Sequence, residues 1–431
     1  MALLTARIKT LMAALLVLAA SALPGQAASF SMKRGLNLDQ WTTWVGEDKW
    51  NDRQAILPYP EWRKFLDEGD LKALKAAGFD FLRMPVDPSP FMSDQTLTLR
   101  DDLYASVRDS ARMINRAGLK VIVDMHLIPA GGGREIGMGQ VMDDPATFDA
   151  YVEVVRKMAH TLATEDPAQV AFEPMNEPIV DCDSDGTSLW PERQQKLFAA
   201  ARASATRLTL ILTGACYSNA ASLVKIDPKS IPDDNLIWTF HSYDPFLLTH
   251  QGATWAGDFI LYVTGLPYPL TAVPRAELDA TLDAIRAKIK AEAPWTRRNG
   301  LLAYLDEQAA SMDTDEKLLG VMDAPFEKVE AWAKANAIKP ENITLGEFGM
   351  IRQEYGNPYV MPPKYRAAYV KDMIARAEAH GFSWSVWSFG GAFGIIDAFN
   401  GEKAEPAVMD AIRSLPLALG HVEIQIRPSR K

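Results

Sequence analysis

The sequence has little of what marks several large protein classes. Glycine and proline each occur 27 times and charged residues make up 23% of the 431 positions, which excludes collagen-like, coiled-coil and disordered chains. Basic residues number 45 against 55 acidic ones, and the net charge of −10 argues against nucleic-acid binding. Beyond the amino terminus the chain has no apolar run long enough to cross a bilayer and no repeat of solenoid period. The sequence is long enough to bury a full hydrophobic core.

The first 27 residues have the pattern of a secretory signal peptide. Arg7 and Lys9 precede an apolar run over residues 11–20, and small residues follow at Ala27 and Ala28. The run is short for a transmembrane helix, so an uncleaved anchor is the weaker alternative. We therefore expect an exported protein, periplasmic or extracellular, that is not membrane-bound after cleavage.

Strand and helix patterns alternate along the rest of the chain. Apolar strand patterns lie near 33–38, 79–85, 119–126, 169–175, 208–214, 236–242, 343–347 and 382–388. Helical patterns lie between most of them, near 103–114, 148–162, 192–207, 220–224, 278–289, 326–332 and 364–380, with a last one near 405–415. Eight alternations predict an α/β fold, a (β/α)8 TIM barrel that forms one catalytic domain over residues 28–431. A doubly wound open sheet is the alternative, but no GxGxxG motif follows the first strand.

One connection is far longer than the others. About a hundred residues separate Tyr243 from Ile343, and the part from 245 to 274 is rich in aromatic residues, glycine and proline. Long segments inside compact domains are usually functional or disordered. We therefore predict a partly ordered, cap-like insertion at residues 245–312, after the sixth strand, that covers one side of the barrel mouth.

Polar side chains stand where the predicted strands end. Taken singly, a glutamate there can be a solvated loop residue, a histidine a core residue and a tryptophan simple packing. The carboxyl ends of barrel strands meet at one face, however, and burying so many polar groups without a function would be costly. The candidate site residues are Arg83, His126, Asn176, Glu177, His241, Tyr243, Glu347 and Trp387.

Two carboxylates and an arginine at one face are typical of glycoside hydrolysis. One carboxyl group must be protonated and the other must be ionised to attack the sugar. Arg83 and the Tyr243 hydroxyl can hold Glu347 ionised, while Glu177 needs a raised pKa, to which the charge of Glu347 would contribute. Asn176 can donate to a sugar 2-hydroxyl. Because an ideal strand would point Asn176 and Glu177 apart, the fourth strand must be irregular there.

These motifs also carry a family resemblance. Asn-Glu-Pro at 176–178, His-x-Tyr at 241–243 and Gly-Glu-Phe-Gly at 346–349 resemble glycoside hydrolase family 5, the cellulase family A of clan A, together with Arg83, His126 and Trp387. The resemblance runs from about residue 33 to about residue 412. It implies that Glu177 is the acid/base, that Glu347 is the nucleophile, and that the remaining candidates bind substrate or support these two.

The expected function is that of a secreted, retaining endo-β-glycanase. Its substrate would be a β-1,4-glucan resembling cellulose or an exopolysaccharide, and it would act as a monomer without metal or other cofactor. An exo-acting β-glucosidase or a β-mannanase of the same family is the alternative. Two other possibilities are a metal-dependent hydrolase using Asp124, His126 and His241, and a non-catalytic glycan-binding protein of the cell envelope.

Weaker signals concern aromatic residues and cysteines. Trp41 and Trp44, with Trp50, follow the first strand and can form a sugar-stacking platform or pack a loop. Similar loop candidates are Trp190, Tyr217 and Trp255. The only two cysteines, Cys182 and Cys216, follow neighbouring strands, so either a disulfide or two buried thiols is possible.

Overall fold

The predicted barrel is confirmed. The structure is a computed structural model that describes residues 30–39, 45–126, 138–142, 144–182 and 189–416. Eight parallel strands pair in chain order and β8 closes on β1, which makes a (β/α)8 TIM barrel. The strands are β1 Arg34–Asn37, β2 Phe81–Val86, β3 Lys120–Met125, β4 Val170–Glu173, β5 Thr209–Thr213, β6 Leu236–His241, β7 Ile343–Glu347 and β8 Ser383–Val386.

Helices surround the barrel. They are α1 Glu68–Ala76, α2 Arg100–Arg116, α3 Pro145–Leu162, α4 Trp190–Ser204, α5 Ala220–Leu223, α6 Arg275–Glu292, α7 Arg298–Ala310, α8 Asp315–Ala335, α9 Pro363–Ala379 and α10 Ala407–Arg413. Single-turn helices lie at Arg53–Ile56, Ser89–Met92 and Phe246–Thr249. Over the described ranges, no helix combines the length and the apolar character needed to cross a membrane.

Local sequence signals set the junctions between helices and strands. Asp67 begins α1 with a capping box, accepting from the backbone N–H groups of Gly69 and Asp70. The helices α1, α2 and α9 each run into a glycine with positive φ just before the next strand, at Gly78, Gly118 and Gly381. Only glycine adopts that left-handed conformation without cost, so these residues stop the helix and turn the chain into the sheet.

The barrel interior is apolar at its floor and polar at its mouth. Side chains of a strand alternate between the two faces of the sheet, so every second residue points inward. The floor consists of Phe30, Met32, Phe81, Ile122, Ala171, Ile211 and Ile237. Two positions further along β2, β3 and β4, on the same face, come Arg83, Asp124 and Glu173. The pattern of the strands thus places a charged layer directly above an apolar floor.

The segment predicted as an insertion, 245–312, is folded and packed against the barrel. Its buried apolar residues, such as Leu282, belong to the same core as the strands and the outer helices. The side chain of Gln251 donates to the carbonyl of Leu266 and accepts from its N–H, both at 2.9 Å. The regular barrel helix between β6 and β7 is α8, which packs between α5 and α9. The insertion is therefore additional to the regular helix that connects β6 and β7 in the barrel.

Candidate active site

Arg83 is the centre of the charged layer. Its side chain is 1% exposed, and its guanidinium contacts an acceptor with every nitrogen. The Nε and Nη2 atoms donate to the two oxygens of Glu173 at 2.8 and 2.9 Å, and Nη2 lies 2.9 Å from Asp124 Oδ2. The other partners are Asn37, Asn176 and Glu347. Because a buried charge must be paired and hydrogen-bonded, these acceptors fix the guanidinium in one position.

Glu347 ends β7 and is buried, with 4% of its side chain exposed. Arg83 Nη1 donates to Oε1 at 2.7 Å, and the Tyr243 hydroxyl donates to Oε2 at 2.8 Å. One donor thus contacts each oxygen, and the two together fix the orientation of the Glu347 carboxyl group in the mouth of the barrel.

The glycines around Glu347 allow close approach of neighbouring groups. A Cβ atom at Gly346 would collide with the side chains of Thr239 and His241. A Cβ atom at Gly349 would collide with the carbonyl oxygen of Trp387. The Gly-Glu-Phe-Gly sequence is therefore required by packing. Its two glycines let side chains of β6 and the backbone just after β8 lie close to the chain on either side of Glu347.

Glu177 faces the same space from the end of β4. The strand ends at Glu173, and Glu177 has a φ of 28°, so strict strand alternation no longer holds there. Because of this irregularity, the side chains of the adjacent residues Asn176 and Glu177 both face the site. Burial raises the pKa of Glu177 to about 7, and the negative charge of Glu173 adds to the effect.

Two histidines flank the carboxyl groups. His241 Nδ1 lies 2.7 Å from Glu177 Oε1, and a register shift between Phe240 and His241 in β6 sets His241 beside Glu347. His126 Nδ1 lies 2.9 Å from Asp124 Oδ2. Burial lowers the pKa of both imidazoles to about 4. Both rings are therefore neutral at physiological pH, and they act as hydrogen-bonding groups.

Trp387 and Asn176 complete the set of candidates. The indole of Trp387 stacks on the ring of His126 at 5.3 Å and an interplanar angle of 19°, and Trp387 is half-buried. Asn176 is fully buried, and its Oδ1 accepts from Arg83 at 2.7 Å. Within the described part of the chain, Asn176 Nδ2 has no hydrogen-bond partner. A buried donor without a partner next to the two carboxyl groups is available to a ligand.

The two carboxyl groups are close together. Glu177, Glu347 and His241 each offer one ligand atom, and these atoms lie within 4.8 Å of one another. Such a group could also hold a cation, but Arg83 already supplies a positive charge to Glu347 at 2.7 Å. The metal set considered from the sequence, Asp124 with both histidines, does not form such a group among the residues described. The carboxyl groups of Glu177 and Glu347 therefore face the same small gap in the mouth of the barrel.

The amino-acid sequence matches the family model Cellulase (glycosyl hydrolase family 5) over residues 53–393, most of the chain. The chain belongs to glycosyl hydrolase family 5. The resemblance found in its motifs is thereby confirmed, and the barrel is the fold of a family 5 protein.

Similar curated proteins carry endoglucanase names. Endoglucanase C of Acetivibrio thermocellus is 25% identical over 240 residues, 56% of this chain and 65% of that protein. Endoglucanase 3 of Fibrobacter succinogenes is 23% identical over 356 residues, 79% of this chain and 48% of that protein. The chain thus spans less than two thirds of the length of either relative.

Solved structures share the fold of this family 5 chain. The Clostridial cellulose synthase subunit Z (CcsZ) of Clostridioides difficile has a TM-score of 0.61 at 21% identity, over 88% of this chain and 99% of that one. Cel5A of Thermotoga maritima, solved with cellobiose, has a TM-score of 0.58 at 18% identity, over 88% and 97%. At such identities the likeness shows the barrel fold.

Sequence reasoning did not assign three members of this family 5 site to the Arg83 network. Asn37, Asp124 and Glu173 are buried partners of Arg83, yet Asp124 was considered only as a metal ligand. A signal was available, because polar residues inside otherwise apolar strands point inward and a buried arginine requires counter-charges. Which residues contact Arg83 depends on the register of the strands, and that register cannot be read from the sequence alone.

The weaker candidates separate into three groups. Trp41 and Trp44 lie outside the described residues. Trp50 and Trp190 are 1% and 2% exposed, so they pack the core and do not form a sugar platform. Other aromatic residues, Tyr217 and Trp255, remain 45% and 42% exposed.

A disulfide closes part of the rim. Cys182 and Cys216 are bonded, with their Cα atoms 4.8 Å apart. Cys182 follows β4 and Cys216 follows β5, so the bond ties two neighbouring loops at the mouth of the barrel. Of the two alternatives left by the sequence, the structure has the cross-link.

Proposed function

We propose that this protein is a retaining endo-β-glycanase that hydrolyses a β-1,4-glucan by double displacement. The observation that carries the proposal is the pairing of Glu177 and Glu347 across one small gap in opposite environments. Retaining glycosidases hold their two carboxyl groups about 5–5.5 Å apart, whereas inverting enzymes need more room for a water molecule. One oxygen of Glu177 and one of Glu347 lie within 4.8 Å of each other, a closeness that favours the retaining arrangement.

In the first step Glu347 acts as the nucleophile. A carboxylate oxygen bonds to the anomeric carbon as the bond from that carbon to the leaving oxygen breaks. Glu177, protonated because burial raises its pKa to about 7, gives its proton to the leaving oxygen. The products of this step are a shortened glucan chain and a glycosyl ester on Glu347.

In the second step Glu177, now ionised, takes a proton from water. The water oxygen bonds to the anomeric carbon, and the ester bond to Glu347 breaks. Arg83 and Tyr243 stabilise the carboxylate that is regenerated, since they donate to its two oxygens at 2.7 and 2.8 Å. The unpartnered Nδ2 of Asn176 is positioned to donate to the sugar 2-hydroxyl, a contact that strengthens in the transition state.

The substrate and the mode of attack can be tested together. The relatives named endoglucanase support a β-glucan substrate and cleavage inside the chain. Incubation with soluble β-1,4-, β-1,3- and mixed-linkage glucans and with mannan should release a range of oligosaccharides from the β-1,4-glucan. In proton NMR the first product should carry the β configuration at its new reducing end. An α-configured first product would contradict retention, and release of glucose alone would favour an exo-acting enzyme.

The pH dependence should report the protonation of Glu177. The pKa of Glu177 is raised to about 7, so the acid form needed in the first step is lost as the pH rises through that value. We expect kcat/KM for cellohexaose to fall about tenfold per pH unit above pH 7. Dinitrophenyl cellobioside, whose leaving group needs no proton, should show no such decline and serves as the control. A kcat/KM for cellohexaose that stays constant to pH 9 would be incompatible with Glu177 as the acid.

The protein is further proposed to be exported. The signal-peptide pattern of residues 1–27 and the Cys182–Cys216 disulfide both support this, because disulfides persist in oxidising compartments such as the periplasm. Comparing the amino terminus of the protein recovered from the periplasm and from the cytosol tests the proposal. The periplasmic form should lack about the first 27 residues.

A further inference from the structure

Backbone strain is concentrated in the two loops that follow β4 and β5. Of the seven non-glycine residues with a positive φ in the described ranges, five lie in these loops, namely Glu177, Asp181, Cys216, Tyr217 and Ser218. Left-handed backbone is unfavourable for a residue with a Cβ atom and persists only where surrounding contacts hold it. Glu177 is one of the five, so the contacts that hold these loops also determine where its carboxyl group lies.

Residues 216–218 form a left-handed turn directly after β5, with φ values of 47°, 60° and 57°. Left-handed residues other than glycine ordinarily occur singly, so three in succession are costly. Asn219 closes one end of the turn, since its side chain donates to the carbonyl of Cys216 and accepts from the N–H of Ser222 in α5, both at 2.8 Å. The left-handed turn is therefore held by its neighbours and not by its own conformational preference.

The left-handed turn is bound to the segment that directly follows the proposed acid. The N–H of Tyr217 donates to the carbonyl of Pro178 at 3.2 Å, and the N–H of Cys216 donates to the carbonyl of Val180 at 3.1 Å. The disulfide adds a covalent link from Cys216 to Cys182, two residues beyond Val180. Two hydrogen bonds and one covalent bond thus join the turn to the backbone next to Glu177.

The same turn is connected to Glu177 from a second side. Asn219 pairs with His241 through a single parallel bridge, and His241 Nδ1 lies 2.7 Å from Glu177 Oε1. The backbone that follows Glu177 and the histidine that contacts its carboxyl group are therefore both attached to the left-handed turn or to the residue after it. A displacement of the turn would change both.

The loop after β4 has a further anchor that does not involve the disulfide. Asp181 Oδ2 accepts from the N–H groups of Leu189 and Trp190, at 2.8 and 2.7 Å, where α4 begins. This contact would remain after loss of the disulfide, so the barrel and α4 should stay folded. The strained turn and the backbone next to Glu177 would lose the covalent part of their connection.

We propose that the Cys182–Cys216 disulfide is a positioning device for the acid/base: it holds the left-handed turn in place and thereby keeps the Glu177 carboxyl group directed at the leaving oxygen. The inference rests on the proposed function, since it takes the role of Glu177 from there. Cys182 is exposed and Cys216 is half-buried, so a small dithiol can reach the bond.

Opening the bond is an exchange reaction with a dithiol such as dithiothreitol. The reagent gives two electrons and two protons to the two sulfur atoms, so that the S–S bond breaks, two thiols form and the reagent becomes a cyclic disulfide. The protein would therefore be fully active as a glycosidase only in its oxidised form, the form expected in an oxidising compartment.

The ratio of two rate constants tests the proposal. The kcat/KM for cellohexaose depends on the acid, whereas the kcat/KM for dinitrophenyl cellobioside does not, because its leaving group needs no proton. Reduction by dithiothreitol, or the double substitution Cys182→Ala/Cys216→Ala, should lower the ratio of the first value to the second about tenfold, since a displaced general acid loses part of its contribution. A mere loss of folded protein would lower both values alike and leave the ratio unchanged.

The chain offers three matched controls. It has only two cysteines, so dithiothreitol should change nothing in the double-alanine variant. In Glu177→Gln, which has no acid to position, dithiothreitol should leave the kcat/KM for dinitrophenyl cellobioside unchanged. Arg112→Leu, which removes an ion pair with Glu165 outside the two loops, should leave the ratio as in the parent.

The outcomes separate the positioning device from the proposed function. If the oxidised enzyme cleaves both substrates and the ratio does not change on reduction, although titration of the free thiols shows that the bond is open, the device is refuted while the proposed function stands. If Arg112→Leu lowers the ratio as much as reduction does, loss of stability is the cause and the device is refuted. If the oxidised enzyme cleaves neither substrate, the proposed function is wrong and the device fails with it.

Discussion

Glu347→Gln is expected to abolish hydrolysis of β-1,4-glucans, with a loss of about 10⁴-fold or more in kcat. The amide cannot form the glycosyl ester, so the first bond cannot be made. Glutamine keeps the shape of the side chain and one carbonyl oxygen, which can still accept from Arg83, whose Nη1 lies 2.7 Å from the present Oε1. The fold should therefore survive. Release of reducing ends from carboxymethyl cellulose and circular dichroism provide the two measurements.

Glu177→Gln separates the roles of the two carboxyl groups. It should lose activity on polysaccharide to a similar extent, but formation of the glycosyl ester from dinitrophenyl cellobioside should persist as a burst of dinitrophenol. Glu347→Gln should give no burst. Glu341→Gln, an exposed glutamate just before β7, is the matched control and should leave activity unchanged. Normal hydrolysis of polysaccharide by the Glu347 variant would refute its assignment as the nucleophile.

Arg83→Leu should lower the free energy of unfolding by about 3–5 kcal/mol and eliminate activity. The guanidinium contacts three buried carboxylates, those of Asp124, Glu173 and Glu347, at 2.7–2.9 Å. Removing it leaves these groups without their counter-charge, and burial already raises the pKa of Asp124 to about 7. Urea unfolding followed by tryptophan fluorescence measures the change in stability.

A second bidentate arginine provides the control for this experiment. Arg112 donates to both oxygens of Glu165 at 2.8 and 3.0 Å, but 46% of its side chain is exposed. Arg112→Leu should cost less than Arg83→Leu, because the lost guanidinium is half-exposed and its removal opens the Glu165 side chain, 9% exposed beneath it, to water. Equal losses of unfolding free energy in Arg83→Leu and Arg112→Leu would show that the burial of the Arg83 network does not increase the cost of removing Arg83.

The barrel could be predicted because each strand is short, apolar and bounded by clear signals. The predicted strand near 343–347 coincides with β7, and the predicted pattern at 278–289 lies within α6. Buried parallel strands require such continuous apolar runs, so each strand can be recognised from its own segment of the sequence.

The helices around the insertion were harder to predict. The helix α7 was not predicted, because only Leu301, Leu305 and Ala309 of its thirteen residues are buried and its apolar face is narrow. The helix α8 begins at Asp315, eleven residues before the predicted pattern at 326–332, because it continues through Pro325. A proline inside a helix usually marks an end, but here the Thr314 cap and the buried Leu318 and Met322 stabilise the first turns.

The candidate site followed from polar residues at strand ends, and the structure brings Glu177 and Glu347 together as the barrel geometry requires. What the sequence could not supply was the choice of partners around Arg83 and the position of loop aromatics. Trp50 and Trp255 look alike as residues of loops, yet one is 1% exposed and the other 42%. That difference depends on packing between segments far apart along the chain.

The partners of Arg83 lie on β1, β3, β4 and β7 or directly after them, whereas Trp255 lies on the loop after β6. A change in this loop can therefore alter which sugar chain is held without displacing the two carboxyl groups. Under the proposed function, the molecule would separate bond breaking from the choice of polymer. New specificities can consequently be obtained by exchanging loop segments on an unchanged set of strands.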